Sequence, residues 1–224
     1  MAKKEFKVST KRLVLKPMSQ VAMGRLADAT EDEELKKAYL SMAEKAMEAE
    51  DPYWYCAWGI YEKKTGTLVG NFSYMGPQEY ASVEIRFYIE EEHRGKGYAE
   101  EALRAMMDTA LYGDHGIYFI DAVTSSSNEA SQHVLEKLGF VSYDGEDENK
   151  HYVYSKPQHS MLALGISIGL CFGSAFGIAL KSYGTGMPLG LALGVAYGLL
   201  LDSSGKKRRA EAETLRAMKN SDEE

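Results

Sequence analysis

Arg94-Gly95-Lys96-Gly97-Tyr98-Ala99 stands where an alternating strand pattern gives way to a helical one. Upstream, Val83, Ile85, Phe87 and Ile89 alternate with Glu84, Arg86 and Tyr88, the period of two of a half-buried strand. Downstream, Ala99, Ala102, Leu103, Met106 and Ala110 recur at helical spacing, with Glu100, Glu101, Arg104 and Asp108 on the outer face. Two glycines at such a junction let the backbone turn tightly and let a ligand reach its amides, while the new helix aims unpaired N–H groups and its positive dipole end at that ligand. The hexapeptide reads as a phosphate-holding loop, or as a turn whose glycines serve conformation alone. It is neither a Walker sequence nor a dinucleotide fingerprint, because the spacing of its glycines fits neither.

A second motif lies downstream. Asn128-Glu129-Ala130-Ser131 opens a helix with Ala130, Val134, Leu135 and Leu138 on one face; Gly139 stops it and Phe140 starts the next strand. Asn128 is a good N-cap residue whatever else it does.

With these motifs on view, the chain resembles the GNAT superfamily of N-acetyltransferases, and within it the ribosomal-protein-alanine N-acetyltransferases and their relatives. That family carries Arg/Gln-x-x-Gly-x-Gly/Ala, here Arg94, Gly97 and Ala99; Asn-x-x-Ser with a helix ending Lys-x-Gly-Phe, here Asn128, Ser131, Lys137, Gly139 and Phe140; and an opening Arg-Leu-x-Leu-x-Pro, here Arg12 to Pro17. The resemblance covers about residues 8 to 156. It implies an α/β GNAT fold with a mixed sheet, acetyl-CoA as co-substrate without a metal, and a pyrophosphate held by Arg94, Gly95, Lys96, Gly97, Tyr98 and Ala99 with Asn128 and Ser131 nearby. It also implies that the main chain of Phe87, Tyr88 and Ile89 holds the pantetheine arm and polarises the thioester carbonyl.

The coarse pattern is compatible with that fold. A strand at about 8 to 16 leads into helices near 18 to 29 and 32 to 50, then strands at 54 to 61, 68 to 75 and 82 to 89. After the glycine loop and its helix come a strand at 117 to 124, the helix at 128 to 138, and strands at 140 to 143 and 150 to 155. Antiparallel hairpins come first and strand-helix-strand crossovers second.

Acetyl transfer to an amine needs a neutral nucleophile, a polarised carbonyl and a stabilised thiolate, and no covalent enzyme intermediate. Glu84 is the candidate base, since alternation puts it on one face with Arg86 and Tyr88; the same carboxylate could simply pair with Arg86. The tyrosine that many relatives carry before Gly-Phe is missing from Val134-Leu135-Glu136. Ser131, by resemblance, and Tyr143, at greater distance, are the candidates for stabilising the thiolate, each with a plain structural role as the alternative. His93, His115, His133, His151 and His159 lack metal-ligand spacing and read as surface or capping residues. Cys56 and Cys171 sit in unlike segments, which disfavours a disulfide framework and points to a reducing compartment. The opening Met1 to Lys7 has no apolar run to serve as a secretory signal.

Residues 1–160 hold 19 Lys+Arg and 27 Asp+Glu, a net −8, against 7 and 6, a net +1, for 161–224. No basic stripe favours nucleic acid, and the acidic runs at 31–34, 90–92 and 144–148 suit a cationic amine acceptor or are solvated faces.

From Pro157 to Leu201 the only charged residue is Lys181. Gly165, Gly169, Gly173 and Gly177 recur 21 residues later as Gly186, Gly190, Gly194 and Gly198, an internal duplication of two blocks each long enough to cross a bilayer as a helix. Glycine every fourth residue weakens a helix in water by about 1 kcal/mol per site, yet in lipid it lets backbones approach. The expectation is a transmembrane hairpin turning through Lys181 to Pro188, with self-association in water or packing on the soluble part as the alternative. Lys150 and Lys156 before it and Lys206 to Arg209 after it favour both ends in the cytosol. The implied organisation is a GNAT domain over 1–156, a glycine-rich hairpin over 157–204 in the cytoplasmic membrane, and a charged tail over 205–224 that is a short helix or disordered. Association of copies through the glycine stripe, and a non-catalytic acyl-CoA sensor coupled to the hairpin, are the open alternatives.

Overall fold

The computed structural model describes residues 6–30, 33–48, 52–76, 81–113, 116–143, 145, 147–158, 160–179 and 181–222. His115, His159, most of the Met1–Lys7 opening and parts of the acidic runs at 31–34 and 144–148 lie outside them. The chain divides into two compact units, Met1–Lys156 and Pro157–Glu224.

In the first unit the strands are β1 (Val8–Ser9), β2 (Leu13–Pro17), β3 (Ala57–Glu62), β4 (Leu68–Tyr74), β5 (Ser82–Ile89), β6 (Phe119–Ser125), β7 (Val141–Tyr143) and β8 (Asn149–Ser155). They form one sheet in the order β1-β2-β3-β4-β5-β6-β8-β7. Only β5 and β6 are parallel, joined by helix α3 (Tyr98–Tyr112), as a parallel pair requires a crossover. Helices α1 (Gln20–Ala29) and α2 (Glu33–Glu48) lie between β2 and β3 in sequence, and α4 (Glu129–Lys137) between β6 and β7.

Strand alternation divides the sheet into two unlike faces. One carries Phe72, Tyr74, Val83, Ile85, Ile120 and Tyr152 and receives α3 and α4: Tyr74 Oη donates to Met106 O at 2.6 Å, and Tyr152 Oη to Glu136 Oε1 at 3.3 Å. Helix α3 buries Ala102, Leu103, Met106, Met107, Ala110 and Leu111 there, each large side chain contributing about 1.5–3 kcal/mol. The other face carries Asn71, Ser73, Glu84, Arg86, Tyr88, Asp121, His151 and Tyr143. Part of it is covered by α1 and α2, through Met23 Sδ beside Ala57 N (3.4 Å) and Tyr39 Oη on buried Asn71 Oδ1 (3.3 Å).

Two sequence expectations are corrected. The strand expected at 8 to 16 is two, because Thr10 N donates to Leu13 O while Leu13 N donates to Thr10 Oγ1, folding the segment into a hairpin. Residues 54 to 56 are not strand: a 3-10 turn over Pro52–Tyr55 tucks Tyr53 and Trp54 into the core before β3 begins. The second strand-helix-strand unit is the expected crossover: β7, reached through α4, runs parallel to β6, with β8 inserted between them and antiparallel to both.

The second unit is two helices, α5 (Leu162–Ala179) and α6 (Tyr183–Asp222). The reversal is shorter than expected: Ser182 N bonds Gly177 O (2.9 Å), Lys181 N bonds Ile178 O (3.1 Å), and Lys181 takes the left-handed φ of 50° usual for a helix-ending glycine. Gly184 to Pro188 therefore belong to α6, which runs on through the charged tail as one helix rather than ending near residue 201. Gly165, Gly169, Gly173 and Gly177 are buried against Gly198, Gly194, Gly190 and Gly186: a Cβ on Gly194 would lie 2.2 Å from Gly165 O, and one on Gly190 2.3 Å from Gly173 Cα. The stripes are thus filled by each other within one chain. Asp202 closes the base, accepting from Met161 N (2.5 Å) and Ser160 Oγ (2.8 Å).

Candidate active site

The parallel ladder between β5 and β6 stops early. It pairs Ser82–Ile85 with residues 119–122, although β5 continues to Ile89 and β6 to Ser125. Beyond Ile85, β5 stays bonded to β4, from Arg86↔Ser73 to Ile89↔Gly70. Glu84 O accepts from Met75 N (2.9 Å) and Glu90 N donates to Val69 O (3.0 Å), so the even-numbered residues direct their main chain to β4. Alternation turns the main-chain groups of Phe87 and Ile89 to the opposite edge, where β6 has parted from the strand. Ile89 O is taken by Arg94 Nε (3.0 Å), leaving the Phe87 N–H and C=O and the Ile89 N–H facing a slot with no strand partner.

The glycine loop closes the same end of the sheet. Gly95 and Gly97 both have φ of 73°, and Gly97 is the N-cap of α3. The first backbone bond of α3 is Glu101 N to Gly97 O (3.2 Å); the amides of residues 95 to 99 have no backbone acceptor among the described residues. A Cβ on Gly95 would meet nothing within 4 Å, so a ligand can approach there. The N-terminus of α4 follows β6 at this same end, and the carboxyl end of a parallel pair is where open α/β sheets hold ligands.

Arg12, quoted from the sequence only as part of a strand motif, holds the loop in shape. Its Nη1 donates to Lys96 O (2.8 Å) and its Nη2 to Gly97 O (3.2 Å), while Nε pairs with Glu101 Oε2 (2.6 Å). Burial raises the Glu101 pKa, but hydrogen bonds from Thr10 and from the amide and guanidinium of Arg12 outweigh it, and the carboxyl falls below its usual value. No local pattern could have revealed this grip, which joins residues more than eighty positions apart.

The other expected site residues fall in different places. Tyr98 turns its side chain away from the loop's open side, donating to Glu62 Oε1 (2.6 Å) under the Arg12 guanidinium (4.9 Å to the ring), so only its amide and that of Ala99 are offered. Lys96 is exposed, 3.4 Å from His93 Nδ1, and the Arg94 guanidinium lies over the Tyr88 ring at 5.5 Å. Asn128 caps α4 by accepting from Ser131 N (3.1 Å), which brings Ser131 to the helix start. Glu84 pairs with Arg86 Nε at 3.2 Å. Tyr143 is on the outermost strand, separated from β5 by β6 and β8, with its ring tilted against His151 (5.5 Å between centroids). Burial, opposed by the Arg86 charge and the nearby Ser73 hydroxyl, pushes the Tyr39 phenol up. Among the described residues no three His, Cys, Asp or Glu side chains gather as metal ligands.

Known proteins share parts of this sequence and this fold. Residues 155–204 match the glycine zipper membrane protein family. The uncharacterized N-acetyltransferase YjdG of Bacillus subtilis is 35% identical over 99 residues, 44% of this chain and 58% of that one, so the chain spans little more than half the length of such curated relatives. Ribosomal-protein-S5-alanine acetyltransferase from Vibrio fischeri has the same fold, with a TM-score of 0.54 at 13% identity over 69% of this chain and 98% of its own. Ribosomal L7/L12 alpha-N-protein acetyltransferase, solved with coenzyme A, superposes with a TM-score of 0.52 at 15% identity, covering 67% and 98%. The acetyltransferase (GNAT) domain family itself matches residues 12–141, more than half of the sequence, and with the parted β5–β6 pair beside a glycine loop this means that the chain belongs to the GNAT acetyltransferase family.

Proposed function

We propose that the chain is a membrane-tethered N-acetyltransferase that moves the acetyl group of acetyl-CoA directly to a primary amine. The carrying observation is the slot: unpaired main-chain groups of Phe87 and Ile89 beside the free amides of residues 95 to 99. An extended pantetheine arm can complete the ladder where β6 has left it, and its pyrophosphate can take the loop amides, α3's dipole end and Lys96. The neighbour crystallised with coenzyme A supports this reading.

Glu84 then accepts a proton from the acceptor ammonium, freeing the nitrogen lone pair to attack the thioester carbonyl. The C–N bond forms, the C–S bond breaks, and the nitrogen's second proton passes to the leaving thiolate, which takes a hydrogen bond from Ser131 at the start of α4. Tyr143, on the outermost strand, is the poorer candidate for that hydrogen bond. The acceptor class is a protein N-terminus, a polyamine or another small amine, a choice supported by the net −8 of residues 1–160. Incubating the chain with acetyl-CoA and a cell extract, followed by mass spectrometry of acetylated products, identifies it. Stabilisation by acetyl-CoA without turnover on any amine would instead favour the sensor reading. Glu84→Gln should lower kcat by about 10²–10⁴ with little change in acetyl-CoA affinity, and unchanged turnover sinks the base assignment.

The tether rests on α5 and the first half of α6, both long and apolar enough to cross a membrane. Phe172 and Ile178 on α5 and Leu199 and Leu200 on α6 are exposed, the reverse of a soluble core helix. Ser167 and Ser174 return their hydroxyls to Ala163 O and Leu170 O (both 2.9 Å), so neither serine presents an unpaired hydroxyl to lipid. Lys150, Lys156 and Lys206 to Arg209 support a cytosolic first unit with both ends of the hairpin inside. Such a protein resists carbonate extraction, and release into the soluble fraction would refute the tether.

A further inference from the structure

His151, read from sequence as a surface or capping residue, is held in an arrangement that the scheme above does not use. Strand β8 runs antiparallel to β6, with Asn149 opposite Ser125, so the tip of the β7–β8 hairpin lies at the same end of the sheet as the slot. The register also fixes the face. Glu84 stands beside Asp121 across β5–β6, Asp121 opposite Val153, and the next row toward the slot is Val123, His151 and Tyr143. His151 is therefore on the Glu84 face, diagonal to the buried Asp121 that adjoins Glu84, a separation of about 7–8 Å between Cα atoms.

The imidazole is firmly placed. Asp147 Oδ1 lies 2.7 Å from His151 Nε2, and the same carboxylate accepts from Asn149 N and Asn149 Nδ2, both at 2.9 Å. The hydrogen bonds of Asn149 and then that of His151 hold the Asp147 carboxyl down at about 2, so it is ionised throughout the neutral range. An ionised carboxylate assigns the ring proton to Nε2 and leaves Nδ1 as a base with a free lone pair. Nδ1 has no hydrogen-bond partner among the described residues. The Tyr143 ring flanks the imidazole, and Gly145 packs closely against it, since a Cβ there would lie 2.2 Å from His151 Cδ2. Ser126 Oγ donates to Glu148 O, tying this loop to the turn that leads to Asn128.

Proton balance supplies the role. An ammonium acceptor loses two protons in becoming an amide; the thiolate takes one, and the other must leave the site at every turnover. We propose that His151, oriented by Asp147, is the carrier that takes this proton from Glu84 and passes it to solvent. The Glu84 O–H bond breaks, an Nδ1–H bond forms through bridging water, and the imidazolium, paired with the Asp147 carboxylate, then releases its proton to bulk buffer.

This rests on the acetyltransferase reading, and the test separates the two. The full chain in detergent is assayed with acetyl-CoA and three acceptors, spermidine, ethanolamine and an alanyl peptide. His151→Gln should lower kcat about 10²-fold in dilute buffer, leave the KM for acetyl-CoA unchanged, and regain most of the loss with added imidazole. Asp147→Asn should act in the same direction more weakly. Nitrogen-15 NMR of the parent should report His151 protonated on Nε2. Undiminished turnover of His151→Gln, a loss that imidazole does not lift, or a ring protonated on Nδ1 overturns the proposal while leaving the acetyltransferase reading in place. Absence of turnover by the parent with all three amines overturns both.

Discussion

The glycines of the first unit's loop and those of the second unit's hairpin do opposite work with the same residue. Gly95 and Gly97 have left-handed φ of 73°, and a Cβ at either would meet open space or, at Gly97, the tip of Arg12 at 3.5 Å. The eight stripe glycines sit in ordinary helices, and a Cβ on any of them would fall within 2.2 to 3.0 Å of atoms in the facing helix, mostly backbone. The loop uses glycine for its angle, the hairpin for its lack of volume. What each admits differs accordingly: a ligand beside free amides in one, a neighbouring backbone in the other.

The largest effect expected from this contrast is at Gly190, whose Cβ would lie 2.3 Å from Gly173 Cα and 2.4 Å from Gly169 O. Alanine improves helix propensity by about 1 kcal/mol over glycine, yet forcing two backbones apart costs about 1–3 kcal/mol, and leucine more. Overpacking wins. Gly190→Leu should separate α5 from α6 and lower the unfolding midpoint in detergent by more than Gly190→Ala does. Gly184, in the same helix with nothing within 4 Å, is the internal control: Gly184→Ala should be neutral or stabilising by up to about 1 kcal/mol. Equal behaviour at 184 and 190 would break the contrast.

A smaller effect is expected from Arg12. Its guanidinium bonds Lys96 O, Gly97 O and Glu101, but the side chain is nearly half exposed, so solvent screening discounts the pairs. Arg12→Met should cost about 1 kcal/mol in denaturant unfolding. Its acetyl-CoA affinity should fall too, because the loop carbonyls are no longer drawn to the far side of the loop from the amides. Unchanged affinity would mean that the two glycines hold the loop by themselves.

How much of this the sequence could carry follows from the range of each interaction. The strand-loop-helix junction at 83 to 110 was legible because alternation, glycine and helical spacing are local, and the N-cap at Asn128 likewise. The Tyr98–Glu62 bond and the Arg12 grip depend on which strands become neighbours, which no local pattern records. The glycine stripes were legible as a duplication, but a stripe reads the same whether its partner is the next helix or another molecule. The Asp147–His151 contact was not legible either, because the loop between β7 and β8 sets how the two side chains meet.

The smallest effect, and the one that most sharpens the contrast, is at Gly95. Since open space surrounds its missing Cβ, a substitution meets only the penalty of left-handed φ, about 1 kcal/mol for alanine. Asparagine tolerates that region better, so Gly95→Asn should unfold in denaturant closer to the parent than Gly95→Ala, although asparagine is the larger residue. The order reverses where volume decides, and Gly190→Asn should be at least as damaging as Gly190→Ala. If Gly95→Asn proves the worse of the loop pair, space rather than angle governs the loop as well. Acetyl-CoA affinity then gives the remaining measurement: both side chains at 95 should weaken binding beyond their effect on unfolding, because the space that is free of protein atoms is where the pyrophosphate must come.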